Sequence, residues 1–313
     1  YIIFSAHDWV VIHYLLHLTG DKTPQPIIEN NIVCIFNGEI YNYKQILPSA
    51  KSDSYSIIDC YKKRGDNFIK YLDGEFAIVL FDFNKNKLFI SGDVFGTKPL
   101  FYSIENDIII SSYKSTCCNI KNIEYKSIEP NETLIFNLND KQLIRKYKIH
   151  DFDLSQYKTS YDDYISALEK SILKRVPDNS IPLVTLSSGL DSGAIACCLN
   201  KHNKKALFMT ISKNEDIDVI NNRKKILNNH VLLDLSIDEK THWTKHLNLN
   251  CEPCVWDWMT NPNVQIIQQT HEMGSMLGKS KILTETKKID PTIKVLLSGI
   301  GADEVMSHNS YYS

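Results

Sequence analysis

The stretch LVTLSSGLDSGAIACCL, residues 183–199, constrains this chain more than any other. An apolar β-type run, Leu183 to Leu186, breaks into Ser187, Ser188 and Gly189 and restarts as a helix, for which Asp191 or Ser192 is the expected cap. Side chains this small leave backbone N–H groups within reach of an anion. The helix N-terminus adds partial positive charge, roughly 0.3–1 kcal/mol at an exposed site, and points several unpaired donors at the same place. A phosphate satisfies both. Asp191 alone would repel a bare phosphate, so the pattern asks for a divalent cation between carboxylate and phosphate oxygens, and the expected ligand is a magnesium nucleotide. The loop is neither G-x-x-x-x-G-K-[ST] nor G-x-G-x-x-G. An ordinary strand-to-helix turn is the plainer alternative, since every α/β domain contains such turns.

Residues 293–304, IKVLLSGIGADE, repeat the design: a Leu and β-branched run, then Ser298-Gly299, Gly301, Asp303 and Glu304. Two parallel strands ending in such turns would bring Asp191 and Asp303 to one strand edge, where open α/β sheets bind ligands. A metal shared by the two carboxylates is expected there.

Composition narrows the class. A length of 313 suggests about two domains, and 43% hydrophobic with 23% charged residues is ordinary for a soluble globular chain. The net charge of −2 leaves no basic footprint for nucleic acid or acidic membranes. No apolar run nears the roughly 18 residues of a membrane helix, and YIIFSAHDW lacks the features of a signal peptide, so a cytoplasmic location is expected. The eight cysteines include the adjacent pairs Cys117-Cys118 and Cys197-Cys198, for which reduced thiols are the simpler reading. Cys251 and Cys254 have CxxC spacing, with His242 and His246 just before them. Zinc needs a convincing fourfold set, so two free thiols in a loop are preferred.

Periodicity divides the chain. Ile32–Phe36, Ala77–Phe83, Lys87–Ser91, Asp107–Ser111 and Thr133–Phe136 read as strands, with Asn84-Lys85-Asn86 as a hairpin turn, while Ser54–Arg64 reads as a helix. A polar stretch over 148–159 reads as a linker between domains at 1–150 and 160–313. Ser160 is the expected cap of a helix carrying Tyr161, Ile165, Leu168, Ile172 and Val176 on one face, ended by Pro177. Leu207–Ile211, Val231–Leu235 and Lys294–Leu297 are strand candidates separated by helix-length segments, the pattern of a mostly parallel sheet.

SSGLDSG resembles the SGGLDS pyrophosphate loop of ATP-pyrophosphatase enzymes, and SGIGADE resembles the SGEGADE segment of the asparagine synthetase family. In the first half FNGEIYNY, SDS, LDGEFAIVLFD and GDVFGTKPLFYS resemble, in order, the glutaminase domain of glutamine-dependent asparagine synthetases. Six ordered motifs cover nearly the whole chain. The resemblance implies an α+β N-terminal-nucleophile hydrolase-type sandwich, followed by an α/β, mostly parallel-sheet, ATP-pyrophosphatase-like domain. It implies glutamine, aspartate and ATP as substrates, Mg2+ as cofactor and compatibility with a homodimer. Asn37 and Gly38 match the oxyanion-hole pair and, with Glu39 and Asp53, the glutamine-binding positions; carboxylates there are natural partners of an ammonium. A tight Asn-Gly turn between strands is the alternative for this segment. ATP would be held by Leu186, Ser187, Ser188, Gly189, Leu190, Asp191, Ser192, Thr210, Ser298 and Gly299, with Asp191 and Asp303 on the metal. The implied reaction is adenylation of a carboxylate, followed by attack of ammonia on the activated carbonyl.

The departures are specific. The family's nucleophile is an N-terminal cysteine, whereas this chain opens at Tyr1; Cys34, inside a strand and without a free amine, does not replace it. An internal fragment, lacking the start of the first domain and the end of the second, is therefore expected. Near HYLLHLTGDKTPQP the family's glutamine-carboxylate arginine is missing and Tyr14 or a neighbour takes its place, although Gln25-Pro26 still matches. Ile300 stands where the family carries a glutamate, a loss worth about 10²–10⁴-fold if nothing replaces it; Glu304 and Glu285 are the candidate replacements. Three readings follow: a glutamine-hydrolysing asparagine synthetase, a related amide-forming ligase acting on another carboxylate, and a noncatalytic nucleotide-binding homologue.

Overall fold

The computed structural model describes residues 2–6, 9–18, 20–105, 107–118, 124–153, 155, 157–213, 215–257, 265–272 and 276–299. The chain divides into two units, 1–157 and 158–313.

The first unit is organised by a strand that is apolar on both faces. In β5 (Gly74–Asp82) every side chain from Phe76 to Asp82 is buried, which requires cover on each side of the sheet. Phe76, Ile78 and Leu80 pack with Ile57, Ile58 and Tyr61 of α2 (Ser54–Arg64), whereas Ala77, Val79 and Phe81 pack with Leu100, Ile128 and Tyr102. Each of the Val, Leu, Ile and Phe side chains among these contributes about 1.5–3 kcal/mol when fully buried. A six-stranded antiparallel sheet surrounds β5, built from β3 (Ile27–Glu29), β4 (Ile32–Ile40), β6 (Lys87–Gly92), β10 (Glu132–Asn137) and β11 (Leu143–Lys148) in the order β11-β10-β6-β5-β4-β3. The opposing cover is a three-stranded sheet of β7 (Phe101–Ile104), β8 (Ile108–Ser111) and β9 (Lys126–Ser127). β1 (Ile2–Ala6) and β2 (Trp9–His13) form a separate hairpin, and two short helices, α1 (Tyr43–Ile46) and α3 (Lys114–Cys118), also belong to this unit.

Under α2, the rings of Tyr61, Phe68 and Phe89 meet edge to face at centroid distances of 5.2–5.6 Å. The Tyr61 hydroxyl donates to Asp82 Oδ2 at 2.6 Å, and the other Asp82 oxygen accepts the Asn84 and Lys85 N–H groups, which closes the β5–β6 turn. The helix expected at Ser54–Arg64 and the turn at Asn84-Lys85-Asn86 form as read. The strand expected to stop at Phe36 runs on to Ile40, so Asn37, Gly38 and Glu39 lie within β4 and not in a tight turn. Gly38 sits at φ +139°, and a Cβ there would lie 1.8 Å from the Glu75 carbonyl oxygen.

The second unit holds a parallel sheet ordered β14-β13-β12-β17 from β12 (Leu183–Thr185), β13 (Leu207–Ile211), β14 (His230–Leu233) and β17 (Leu296–Leu297). α4 (Asp162–Leu173) and α5 (Leu190–Lys201) cover one face through Ile172, Ala196, Cys198 and Leu199, and α8 (Met276–Ile289) covers the other through Ile282. α6 (Ile217–Ile226) and α7 (Ile237–Asn250) connect the strands, and β15 (Cys254–Asp257) pairs with β16 (Gln265–Gln268). Three expectations shift here. Helix α4 starts at Asp162 with Tyr161 at its N-cap position, and Ser160, one residue earlier than that, accepts the Asp162 N–H on its hydroxyl at 3.5 Å. The outer strands are displaced or shorter, at His230–Leu233 and Leu296–Leu297. Finally, Gly189, with neither Asp191 nor Ser192, occupies the N-cap of α5.

Cys34, Cys60, Cys197, Cys198 and Cys251 are free thiols. Among the described residues, no group of His, Cys, Asp and Glu could hold a metal, and no helix is long and apolar enough to cross a membrane.

Candidate functional site

In the first unit, β4 carries Asn37, Gly38 and Glu39 opposite Ala77, Phe76 and Glu75 of β5. Three groups hold this stretch in place. The Gln25 carboxamide brackets Phe36, donating to its carbonyl at 2.9 Å and accepting its N–H at 2.7 Å, so a side chain replaces a missing strand partner. Asp53, at the N-cap of α2, accepts the Ile40 N–H on Oδ2 at 3.0 Å. Asp93 gathers the N–H groups of Phe76 and Thr97 on Oδ2, each at 3.0 Å, and that of Phe95 on Oδ1 at 2.8 Å; the Thr97 hydroxyl also donates to it. Phe76 is the cross-strand partner of Gly38, so Asp93 fixes the backbone directly facing the candidate oxyanion-hole glycine.

The SDS segment is seated by a buried hydroxyl chain. Thr23 Oγ1 and Ser52 Oγ are 2.7 Å apart, and Ser52 Oγ and Ser54 Oγ are 2.8 Å apart. Asp53 is 7% exposed, and burial raises its pKa against the opposing pull of the Ile40 N–H. Its carboxylate is thus poised to gain from a cation placed beside it. Asn37 is exposed at the surface, whereas Gly38 and Glu39 are half-buried. Cys34 is fully buried in β4, and desolvation drives its thiol far above the ordinary cysteine range, so it is no nucleophile. Tyr14, in the region of the missing arginine, is 74% exposed. His13 was not foreseen as a site residue: it is half-buried, its Nδ1 is buried without a hydrogen-bond partner among the described residues, and burial lowers its pKa more than the Phe36 backbone raises it. Only its odd-numbered place along the alternating β2 hinted that it faces inward.

In the second unit, Gly299 follows β17 and lies against the start of α5. A Cβ on Gly299 would fall 2.7 Å from Asp191 Cβ and 2.9 Å from the Ser192 nitrogen. β17 is the parallel neighbour of β12, with Leu183 opposite Leu296 and Val184 opposite Leu297. The structure therefore brings Ser298-Gly299 and the 187–192 loop together at one sheet edge. Asp303 and Ile300 lie outside the described residues, and so does Glu304.

The loop is bonded inward. Ser192, 5% exposed, accepts the Ser187 N–H on Oγ at 3.0 Å and pairs with Ser187 Oγ at 2.9 Å. The Gly189 N–H donates to Ser187 Oγ at 3.2 Å. Thr210 lies beneath the loop, its hydroxyl donating to the Leu186 carbonyl at 2.6 Å and pairing with His230 Nε2 at 2.8 Å, so its role here is to tie strands together. Leu190 is 86% exposed and Asp191 half-buried at the mouth of the loop. Asp191 offers one hard carboxylate of the oxygen type that magnesium takes, and among the described residues no group of three such ligands surrounds it. Two residues escaped the sequence reading: Glu215, which bonds Ser188, and Arg223, which bonds the carbonyls of Ser187 and Gly189. Their only sequence signal is position, after β13 and along the helix that follows it.

Residues 3–169 match the glutamine amidotransferase domain family. The asparagine synthetase [glutamine-hydrolyzing] 2 of Bacillus subtilis is 27% identical over 93% of this chain and 44% of its own length. A putative asparagine synthetase [glutamine-hydrolyzing] 1 of Methanocaldococcus jannaschii is 25% identical over 94% of this chain and 56% of its own length. The chain thus spans about half the length of the curated relatives it matches. A solved glutamine phosphoribosylpyrophosphate amidotransferase from B. subtilis aligns at TM-score 0.34 and 17% identity, covering 57% of this chain and 46% of that one, too loosely to bear on the fold.

Proposed function

This chain belongs to the glutamine amidotransferase domain family, and on that premise we propose that the protein is a glutamine-dependent asparagine synthetase acting in the cytoplasm. Unit 1 is then an N-terminal-nucleophile hydrolase-type sandwich that frees ammonia from glutamine, and unit 2 an ATP-pyrophosphatase-type domain that activates aspartate. The similarity to glutamine-hydrolysing asparagine synthetases over more than nine-tenths of the chain supports the pairing of these activities.

In unit 1 Asn37 and Gly38 polarise the amide oxygen of glutamine, and Glu39 with Asp53 receives its ammonium. Burial of Asp53 strengthens that attraction by lowering the local dielectric. In unit 2 the serines and backbone of 187–192 position the pyrophosphate of ATP, and Asp191 with Asp303 would hold magnesium, whose charge would neutralise the leaving pyrophosphate. The carboxylate of aspartate attacks the α-phosphate, pyrophosphate departs, ammonia adds to the acyl carbon and AMP leaves. The observation that supports this reading is the seating of Gly299 against Asp191 and Ser192, because it brings the two segments read as one nucleotide site together at the ends of neighbouring strands.

Ile300, in place of the family's glutamate, favours a second reading, amidation of a different carboxylate. One assay decides. Full-length protein with ATP, magnesium and ammonium is offered a panel of carboxylates, and aspartate is expected to stimulate pyrophosphate release most. Stimulation by another acid alone selects the second reading, and release with none defeats both.

A further inference from the structure

Ser188 directs its donors to a charged group. Its N–H and its Oγ both donate to Glu215 Oε2, at 2.5 and 2.7 Å, while its Oγ accepts the Asp216 N–H at 3.2 Å. Glu215 lies in the turn after β13, the strand next to β12, and Asp216 then caps α6 through the N–H groups of Asp218 and Val219. A carboxylate oxygen therefore rests on the donors that a phosphate oxygen would use. Further along α6, Arg223 returns to the loop and donates to the carbonyls of Ser187 and of Gly189, the latter at 2.9 Å. Gly193 makes room for it, since a Cβ there would meet Arg223 Nη2 at 2.5 Å. The segment around α6 thus grips the loop twice, by an anion before the helix and by a cation within it.

Building on the reading of 187–192 as a phosphate site, we propose that Glu215 is an intramolecular occupant of the phosphate seat, a latch that an incoming nucleotide must displace. Two anions cannot share the Ser188 donors, because in a half-buried site their repulsion is poorly screened. Phosphate binding then requires the open state, and apparent affinity falls by the fraction of molecules that are open. Opening also breaks the Ser188–Asp216 bond and loosens the first turn of α6, whereas Arg223, anchored on carbonyls, keeps the rest of the helix beside the loop.

The test is titration calorimetry of the full-length protein with inorganic pyrophosphate and magnesium. Glu215→Gln, which keeps the shape but carries no charge, is expected to bind about 10-fold tighter than the wild type. Asp218→Asn, the same charge change three residues on, is expected to bind as the wild type does. In the wild type, amide exchange at 215–219 is expected to quicken when pyrophosphate is added. Wild-type binding that Glu215→Gln leaves unchanged overturns the latch but not the nucleotide site. Absence of binding in both overturns the latch together with the phosphate reading on which it rests. Amide exchange at 215–219 that slows or stays constant in the wild type overturns the latch, even where the variant does not fold.

Discussion

Replacing Gly38 by alanine tests the placement of the candidate oxyanion hole inside a strand. At φ +139° an L-residue carries about 1–3 kcal/mol of backbone strain. The new Cβ would also sit 1.8 Å from the Glu75 oxygen, well inside the 3.0 Å that real Cβ atoms keep from their neighbours. Relief means prising β4 from β5 around the Gly38–Phe76 pair, which adds an overpacking cost of about 1–3 kcal/mol. The combined loss is about 2–6 kcal/mol, a large share of a typical stability of about 5–15 kcal/mol. Gly92→Ala, in the same sheet, is the matched control, because its nearest foreign atom would be Ile128 Cγ2 at 3.5 Å, an ordinary contact. Urea unfolding followed by circular dichroism on full-length protein should show Gly38→Ala weakened by at least about 2 kcal/mol relative to Gly92→Ala. Equal midpoints for the two variants would refute the strand placement and with it the geometry assigned to Asn37.

Tyr61→Phe should cost about 1–3 kcal/mol in the same unfolding assay, because it leaves Asp82, 1% exposed, without its hydroxyl partner. His230 should make stability pH-dependent. Burial lowers its folded pKa below 6.5, so the unfolded chain protonates first and stability falls as pH drops through 6.5; His230→Gln should flatten that part of the urea-midpoint profile between pH 7.5 and 5. Gly299→Ala, which drives a Cβ toward Asp191, should lower pyrophosphate release by at least about 10-fold while sparing glutamine hydrolysis, measured side by side on one preparation.

The parts of this fold legible in the sequence are those set by local pattern. The α2 periodicity through Ile57, Ile58 and Tyr61 marks a helix at its observed limits, and Leu207–Ile211 reads as a strand at its observed limits. Cross-strand forces were invisible. Asn37-Gly38 looks like a turn until Ala77 and Phe76 of β5 hold it extended, and the cap of α5 passes to Gly189 because Ser192 turns inward to Ser187. Glu215 and Arg223 reach the loop across 27 and 36 residues of sequence, a distance over which no spacing rule connects them. The adjacency of Ser298-Gly299 to the 187–192 loop, by contrast, was readable, because two strands ending in the same small-residue turn belong at one edge of a parallel sheet.

The central claim is adenylation of a carboxylate at that shared edge, and isotope transfer tests it most directly. Full-length protein is incubated with aspartate labelled with oxygen-18 in its side-chain carboxylate, together with ATP, magnesium and ammonium, and the phosphorus products are analysed by mass. Attack of the carboxylate on the α-phosphate predicts AMP carrying one labelled oxygen alongside unlabelled pyrophosphate. Label appearing in inorganic phosphate, or AMP formed without label, would contradict it.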